Sequence, residues 1–268
     1  MSTFSRRSPG GWRAERGAPA RRVRCLLAAG LAAALVLAPS PAMAQSPSLV
    51  DQGRFEIRIG GVPRGQESFA IRRQGTEYMA VGRISREGAG VWIGSAEVGL
   101  RTDARFVPVR YEFRTLQRPT TRIIATRTGS RIRVTTSDQS GEGMTEIAAG
   151  PNLLLLQSGV VHHYWFLVRR LQGAQAGREG SVEAVTPADV QRMGVELVAV
   201  EPDSVAGPGN RRVAATRYEI RIGDTLHRVW VEQGSGRVLR AEVPDQDWAA
   251  VRISDAAETG DEREGNER

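Results

Sequence analysis

Cysteine occurs once in the 268 residues, at Cys25, and lysine does not occur at all. Beyond residue 25 the first absence removes disulfides, thiolate nucleophiles and cysteine-bound metal. The second leaves arginine as the only fixed side-chain cation, a bias better explained by genome composition than by a selected phosphate-binding surface. Histidine is nearly as scarce, with only His162, His163 and His227. No apolar run reaches the roughly 20 residues of a spanning helix. The longest, Leu26 to Leu37, follows the basic residues Arg21, Arg22 and Arg24. It precedes Pro39, Pro41 and the small-residue motif Ala42-Met43-Ala44. That order is expected of a signal peptide over residues 1–44, cut before Gln45. Neither Arg6-Arg7 nor Arg21-Arg22 is followed by the apolar pair of a twin-arginine signal, so the general export route and a periplasmic or secreted protein are expected. Cys25 lies at the start of the apolar run and not at a lipoprotein cleavage site.

Residues 1–44 hold seven of the 37 basic residues and one of the 30 acidic ones, so the formal +7 of the whole chain shrinks to +1 for the remainder. A nucleic-acid partner inferred from the high isoelectric point is thereby excluded. At the other end, residues 255–268 carry six acids and two arginines, with Thr259 the only β-branched residue. This composition is that of a disordered acidic tail. Residues 45–254 are enough to bury one core without disulfides.

Within that span the dominant period is two. Arg54-Phe55-Glu56-Ile57-Arg58-Ile59 alternates strictly, and strand patterns follow over 67–72, 76–84, 91–100, 107–114, 121–127 and 131–136. After residue 173 they resume over 181–186, 190–200, 213–222, 225–232, 237–243 and 248–253, with tight turns at Gly223-Asp224 and Gly234-Ser235-Gly236. Short links between consecutive strands favour an antiparallel meander over βαβ units. The first alternating strand recurs as Arg217-Tyr218-Glu219-Ile220-Arg221-Ile222 and in part as Arg110-Tyr111-Glu112-Phe113-Arg114. Strands of one sheet sharing an inside/outside pattern explain this better than a duplication, and their aromatics should point the same way.

One stretch has the helical period. Over residues 159–172, Val160, Val161, Tyr164, Trp165, Leu167, Val168 and Leu171 fall on one arc, while His162, His163, Arg169 and Arg170 fall opposite. Ser158 is placed to cap the start and Gly173 to stop the end. Phe166 projects from the polar arc and is expected to be solvent-facing, so that its truncation costs little. The fold expected is mainly β (α+β): a curved antiparallel sheet or half-open barrel of ten to thirteen strands with one long covering helix.

Two segments carry a family likeness: the Ile59-Gly60-Gly61-Val62-Pro63-Arg64-Gly65 turn, and the run from Arg228-Val229-Trp230-Val231-Glu232 to Gly236-Arg237-Val238-Leu239-Arg240-Ala241-Glu242-Val243-Pro244. With the order of elements, they make residues 53–254 resemble the half-open β-barrels of LolA/LolB-type lipoprotein carriers. The chain is more similar still to secreted bacterial β-rich domains of unknown function. The resemblance implies a curved sheet around an apolar cavity. A second helix and a lipidation cysteine are missing from the pattern, which counts against lipoprotein transfer itself.

Catalytic signatures are weak. Adjacent helical histidines diverge by about 100°, whereas helix-borne metal ligands need i,i+3 or i,i+4 spacing. Ser158 lacks the glycine two positions earlier that a nucleophile elbow requires. The Gly-rich stretches 88–90 and 234–236 are not followed by helices and are not phosphate cradles. No catalytic residue, metal ligand or cofactor is therefore assigned. The strand face Trp92, Gly94, Ala96 and Val98 leaves space above its small residues, which the helix fills more simply than a ligand does. Trp230 opposes Val229 and Val231, as if both faces of that strand were covered. Trp92, Gly94, Ala96, Phe166 and Trp230 are thus the candidate contacts for an apolar or lipid-like ligand. The alternative is an envelope assembly module that meets protein partners through the helix face and strand edges. Secreted material should have the intact mass of a chain beginning at Gln45; a mass that includes Cys25, or a diacylglycerol adduct, would refute the export reading.

Overall fold

The structure is a computed structural model that describes residues 46–87, 94–172 and 182–256. Trp92, Gly173, Gly88 to Gly90, the expected signal segment and all but the first two residues of the acidic tail lie outside these. No helix among the described residues is long and apolar enough to cross a membrane.

Among the described residues fifteen strands form one sheet. The first eight are β1 (Ser48–Ile59), β2 (Val62–Gln74), β3 (Glu77–Arg86), β4 (Gly94–Thr102), β5 (Pro108–Thr115), β6 (Arg122–Thr128), β7 (Arg131–Asp138) and β8 (Gly141–Ala148). A short β9 (Leu153–Leu155) leads into the helix α1 (His163–Leu171). Then come β10 (Val182–Thr186), β11 (Gln191–Ala206), β12 (Arg212–Ile222), β13 (Thr225–Glu232), β14 (Val238–Val243) and β15 (Trp248–Ser254). The spatial order is β8 through β1, then β15 down to β9. The sheet is therefore two meanders joined where β1 pairs antiparallel with β15. Every pairing is antiparallel except β9 with β10, which run parallel. Parallel neighbours need a crossover rather than a hairpin, and α1 lies in that connection. One βαβ unit thus sits inside what alternation alone predicts as a pure meander.

The alternation fixes which face is inside. Phe55 and Ile57 are fully buried while Arg58 is exposed. Tyr111 on β5 and Tyr218 on β12 face the same core, so the three repeated aromatics do point one way. That core is continuous from β1 to β7, through α1, to β9 to β15. A separate small cluster of Val205, Ala215, Trp230 and Leu239 lies beyond it. Val229 and Val231 belong to the main core and Trp230 to the second cluster, so β13 is covered on both faces.

The helix departs from expectation in three ways. It has nine residues and begins at His163, because Gly159 adopts a positive φ of 76° and the chain only turns into the helix after it. Seven of the nine are buried, including Phe166 at 1% exposure. His162 and His163 are 1% and 2% exposed. Phe166 is therefore not solvent-facing, and the helix offers no free face to a partner. The cause is that strands from both meanders enclose the helix. Phe166 packs edge-on against Phe106 at 6.4 Å and Trp165 at 5.0 Å. Only Arg169 and Arg170 reach outward. They lie in the last turn, where cations complement the helix dipole; Arg170 donates to the carbonyls of Arg105 and Pro151 at 3.0 and 2.8 Å. Trp165→Ala and Phe166→Ala should each lower stability by about 3–5 kcal/mol, as truncation of a buried aromatic does. Urea midpoints measured side by side check this; an unchanged midpoint for Phe166→Ala would contradict its enclosure.

Candidate functional site

Two places concentrate polar chemistry, one inside the sheet and one on its outer face. The inner one surrounds the start of α1. Glu67 on β2 is fully buried, and its carboxylate accepts the backbone N–H groups of Val161 and His162 at 2.6 and 2.8 Å. His162 Nδ1 lies 2.8 Å from the same carboxylate. Glu67 thus does what Ser158 was expected to do: Ser158 is exposed, and His162 at the N-cap position makes no side-chain cap. The neighbouring His163 accepts the Gln157 N–H at Nδ1, 3.1 Å away, which puts its own proton on Nε2. The Nε2 atoms of both histidines are buried without a hydrogen-bond partner among the described residues. Tyr111 Oη donates to Gln157 Oε1 at 3.4 Å, and Arg86 donates to the Gly159 carbonyl at 2.6 Å.

A carboxylate beside two histidines has the composition of a catalytic or metal centre, but this one is sealed. The side chains of Glu67 and His162 have no exposure, and the carboxylate is already committed to the helix start. The His162 ring occupies the space over Gly82, where a Cβ would come within 2.7 Å of its Cε1. Among the described residues no three His, Cys, Asp or Glu side chains come together as metal ligands. Chemically the arrangement is a cap and a brace.

Burial also fixes protonation. It holds His163 neutral, with a pKa well below the ordinary histidine value, and the nearby His162 lowers it further. His227, whose Nδ1 lies 2.8 Å from Tyr164 Oη, is lowered by burial to about 4. Both Tyr164 and Tyr111 are raised by burial and stay protonated.

The outer face of β2 to β6 is open. It carries a groove of about 1260 Å³, and the strand register shows how it is built. Ala70, Val81 and Gly99 are paired across β2, β3 and β4 to make a floor of small side chains. Two residues along the strands on one side, Arg83, Glu97, Arg114 and Arg122 are paired in a row. On the other side Arg72, Met79, Arg101 and Arg110 form the matching row. With strands about 4.8 Å apart and residues about 3.4 Å apart, the furrow runs about 19 Å across the strands between walls about 14 Å apart. Glu97 is clamped between Arg83 and Arg114 at 3.0 and 2.6 Å, and those two bonds lower its pKa.

The residues expected to bind ligand are not brought together. Gly94 and Ala96 are buried toward the core, and the space at Gly94 is taken by Gln117, whose Oε1 would lie 2.1 Å from an added Cβ. Phe166 is inside the helix packing. Trp230 lies in the second cluster, where its Nε1 donates to Asp203 at 2.8 Å. Trp92 is outside the described residues. The groove uses the opposite face of that same strand β4: Glu97, Gly99 and Arg101 in place of Gly94, Ala96 and Val98. A small residue at an outward position, flanked two residues away on either side by charge, was the signal available in the sequence.

No family model matches the chain, and no curated protein matches it. Among solved structures it is similar to a β-barrel-like protein of domain of unknown function DUF1849 from Brucella abortus. The two are 9% identical with a TM-score of 0.44, over 78% of this chain and 97% of that one.

The neutral histidines make stability depend on pH. Their folded-state pKa values lie below the unfolded value of about 6.5, so as pH falls the unfolded chain takes up protons first. The contribution is complete above that value and is lost below it, for His227 down to about pH 4. Each group can cost at most about 1.4 kcal/mol per pH unit in this window. The urea midpoint should therefore fall from neutral pH toward pH 4, and less steeply in His227→Gln; an unchanged slope in that variant would refute the assignment.

Proposed function

We propose that the protein is an exported, non-catalytic binding protein of the cell envelope, which takes an elongated lipid-like ligand in the groove on the outer face of β2 to β6. The observation that supports this reading is the contrast between the two faces. Inside, the volume that a half-open barrel would offer to a ligand is filled by α1 and its aromatics. Outside, the groove has a floor of Ala70, Val81 and Gly99, and Val81 is left 60% exposed. Its volume of about 1260 Å³ exceeds the roughly 300–1,000 Å³ of sites for drug-sized molecules and suits a longer chain. The position expected for an apolar contact therefore moves from the helix and the inner face of β4 to this furrow. Export rests on the segment 1–44 and is part of the same proposal.

A second reading, assembly with other envelope proteins, has one observation behind it. Among the described residues β8 pairs with β7 alone, is exposed along nearly all its length and presents Met144 at 65% exposure. An edge of this kind can accept another strand.

Gly99 provides the test. An added Cβ there meets nothing nearer than the Ala80 carbonyl oxygen at 4.0 Å, so Gly99→Leu fills the furrow without strain. Protein purified without detergent should carry extractable lipid, and Gly99→Leu should lose it with an unchanged urea midpoint. Lipid-free wild-type protein that captures a specific envelope partner through β8 would favour assembly instead.

A further inference from the structure

Resting on the groove reading above, we infer that the ligand is an anionic lipid, whose acidic headgroup is held by the two arginine rows and above all by Arg72 and Arg122. The argument is one of charge balance compared within the same molecule. Across the β11 to β15 half, the five arginines Arg217, Arg221, Arg228, Arg237 and Arg240 are outnumbered by the acids they meet. Arg217 meets Glu201 and Glu219, Arg221 meets Glu196, Arg228 meets Glu219, and Arg240 meets Glu242. Arg237 has both Glu232 and Asp255. The groove reverses this balance. Six arginines line it against two acids, Glu97 and Glu112.

Glu97 is shared between Arg83 and Arg114, Glu112 is held by Arg110 at 2.6 Å, and Arg101 turns to Glu77 at 3.2 Å. Arg72 and Arg122 are left without a carboxylate among the described residues. Both are exposed, and the register sets them at opposite ends of the furrow, in opposite walls. A chain whose net charge outside residues 1–44 is only +1 thus sets six arginines against two acids along one furrow. A planar guanidinium forms paired hydrogen bonds with a phosphate or carboxylate. The floor between the rows, Ala70, Val81 and Gly99 with Met79 at its margin, offers apolar contact over β2 to β4, and Glu112, paired with Gly99, continues the row on β5. Anionic head and apolar chain are the two halves of an acidic lipid.

The site also has a nearer claimant. Ala256, the last described residue, lines the groove, and residues 257–268 include Glu258, Asp261, Glu262, Glu264 and Glu267. The residues that follow Ala256 in the sequence carry the same kind of charge as an anionic headgroup, so the experiment includes them.

The full chain is mixed with phosphatidylglycerol vesicles and with phosphatidylcholine vesicles, and bound protein is measured by sedimentation. Binding should be confined to phosphatidylglycerol, weaken with added salt, and fall about fivefold for each arginine removed in Arg72→Gln and Arg122→Gln. Arg221→Gln, on the balanced face, should bind as wild type, and all three should keep the wild-type urea midpoint. Equal binding to both lipids, still blocked by Gly99→Leu, would overturn the anionic assignment and leave the groove reading standing. Binding to neither lipid, with no copurified lipid in wild type, would remove the groove reading itself. Phosphatidylglycerol binding that appears only when Glu258→Gln, Glu262→Gln and Glu264→Gln are combined would overturn the proposal, because the chain's own acidic residues would then be the occupant.

Discussion

The fold depends on one buried carboxylate. A nine-residue helix is too short to be stable by itself, and α1 begins in the interior, where the first backbone N–H groups of a helix have neither water nor intrahelical acceptors. Glu67 answers two amides at the helix start, those of Val161 and His162, and the His162 ring as well. Desolvating a carboxylate is costly, and such an arrangement is favourable only when its oxygens are well satisfied; here three donors surround it. Because Glu67 lies on β2, the cap fixes the helix to the first meander. The other meander holds the same helix through Tyr164 with His227 and through Arg169, which stacks on Trp165 at 5.1 Å and reaches the Gly236 carbonyl. The helix is an internal strut between two halves that share only one strand pairing.

That pairing has its own buried charge. Arg252 on β15 is 1% exposed and donates to both oxygens of Asp51 on β1, at 2.8 and 3.2 Å, across 201 positions of sequence. Its guanidinium also lies over Phe55 and Phe69, and Phe69 stacks against the His162 ring at 6.1 Å. The seam and the helix cap are thus one packed unit: Asp51, Arg252, Phe69, His162, Glu67. Gly53 has no alternative beside it, since a Cβ there would lie 2.8 Å from the Arg252 guanidinium and 2.6 Å from the Ser254 carbonyl. Hairpins within each meander need only local contacts, whereas this unit joins residues far apart in sequence and carries most of the loop-closure entropy.

The sequence made the strands legible because alternation is a local signal. Thirteen strands were readable, and the two missed had reasons. β8 contains Gly141 and Gly143 and little apolar surface, as an exposed edge allows; β9 is three leucines, which cannot alternate. The helix was readable in its arc but not in its surroundings. An amphipathic template assumes one wet side, and here the polar side is wrapped as well, with Glu67 and Gln157 taking the place of water for the histidines. Nothing local in the sequence links Glu67 to residues 94 or 95 positions later. Reading Phe166 as exposed failed for the same reason, since its cover comes from Phe106 on a distant turn. The half-barrel likeness implied an apolar cavity, and α1 is packed into the core instead.

A filled interior changes where function can lie. Once both faces of β13 and the inner face of every long strand are committed to packing, a ligand is left with the outer faces and the edges. There the usual residents of a solvated strand are β-branched or charged side chains with balanced partners, as on β11 to β15. The outer face of β2 to β6 departs from this twice at the same place, with small residues along one transverse row and surplus arginine along the two rows beside it. Small side chains on a solvated face add nothing to the core, and surplus like charge is mildly unfavourable to the compact state. Neither is explained by stability. Parity along each strand therefore separates two faces: inward residues pack against the helix and the seam, and outward residues of β2 to β6 line the groove.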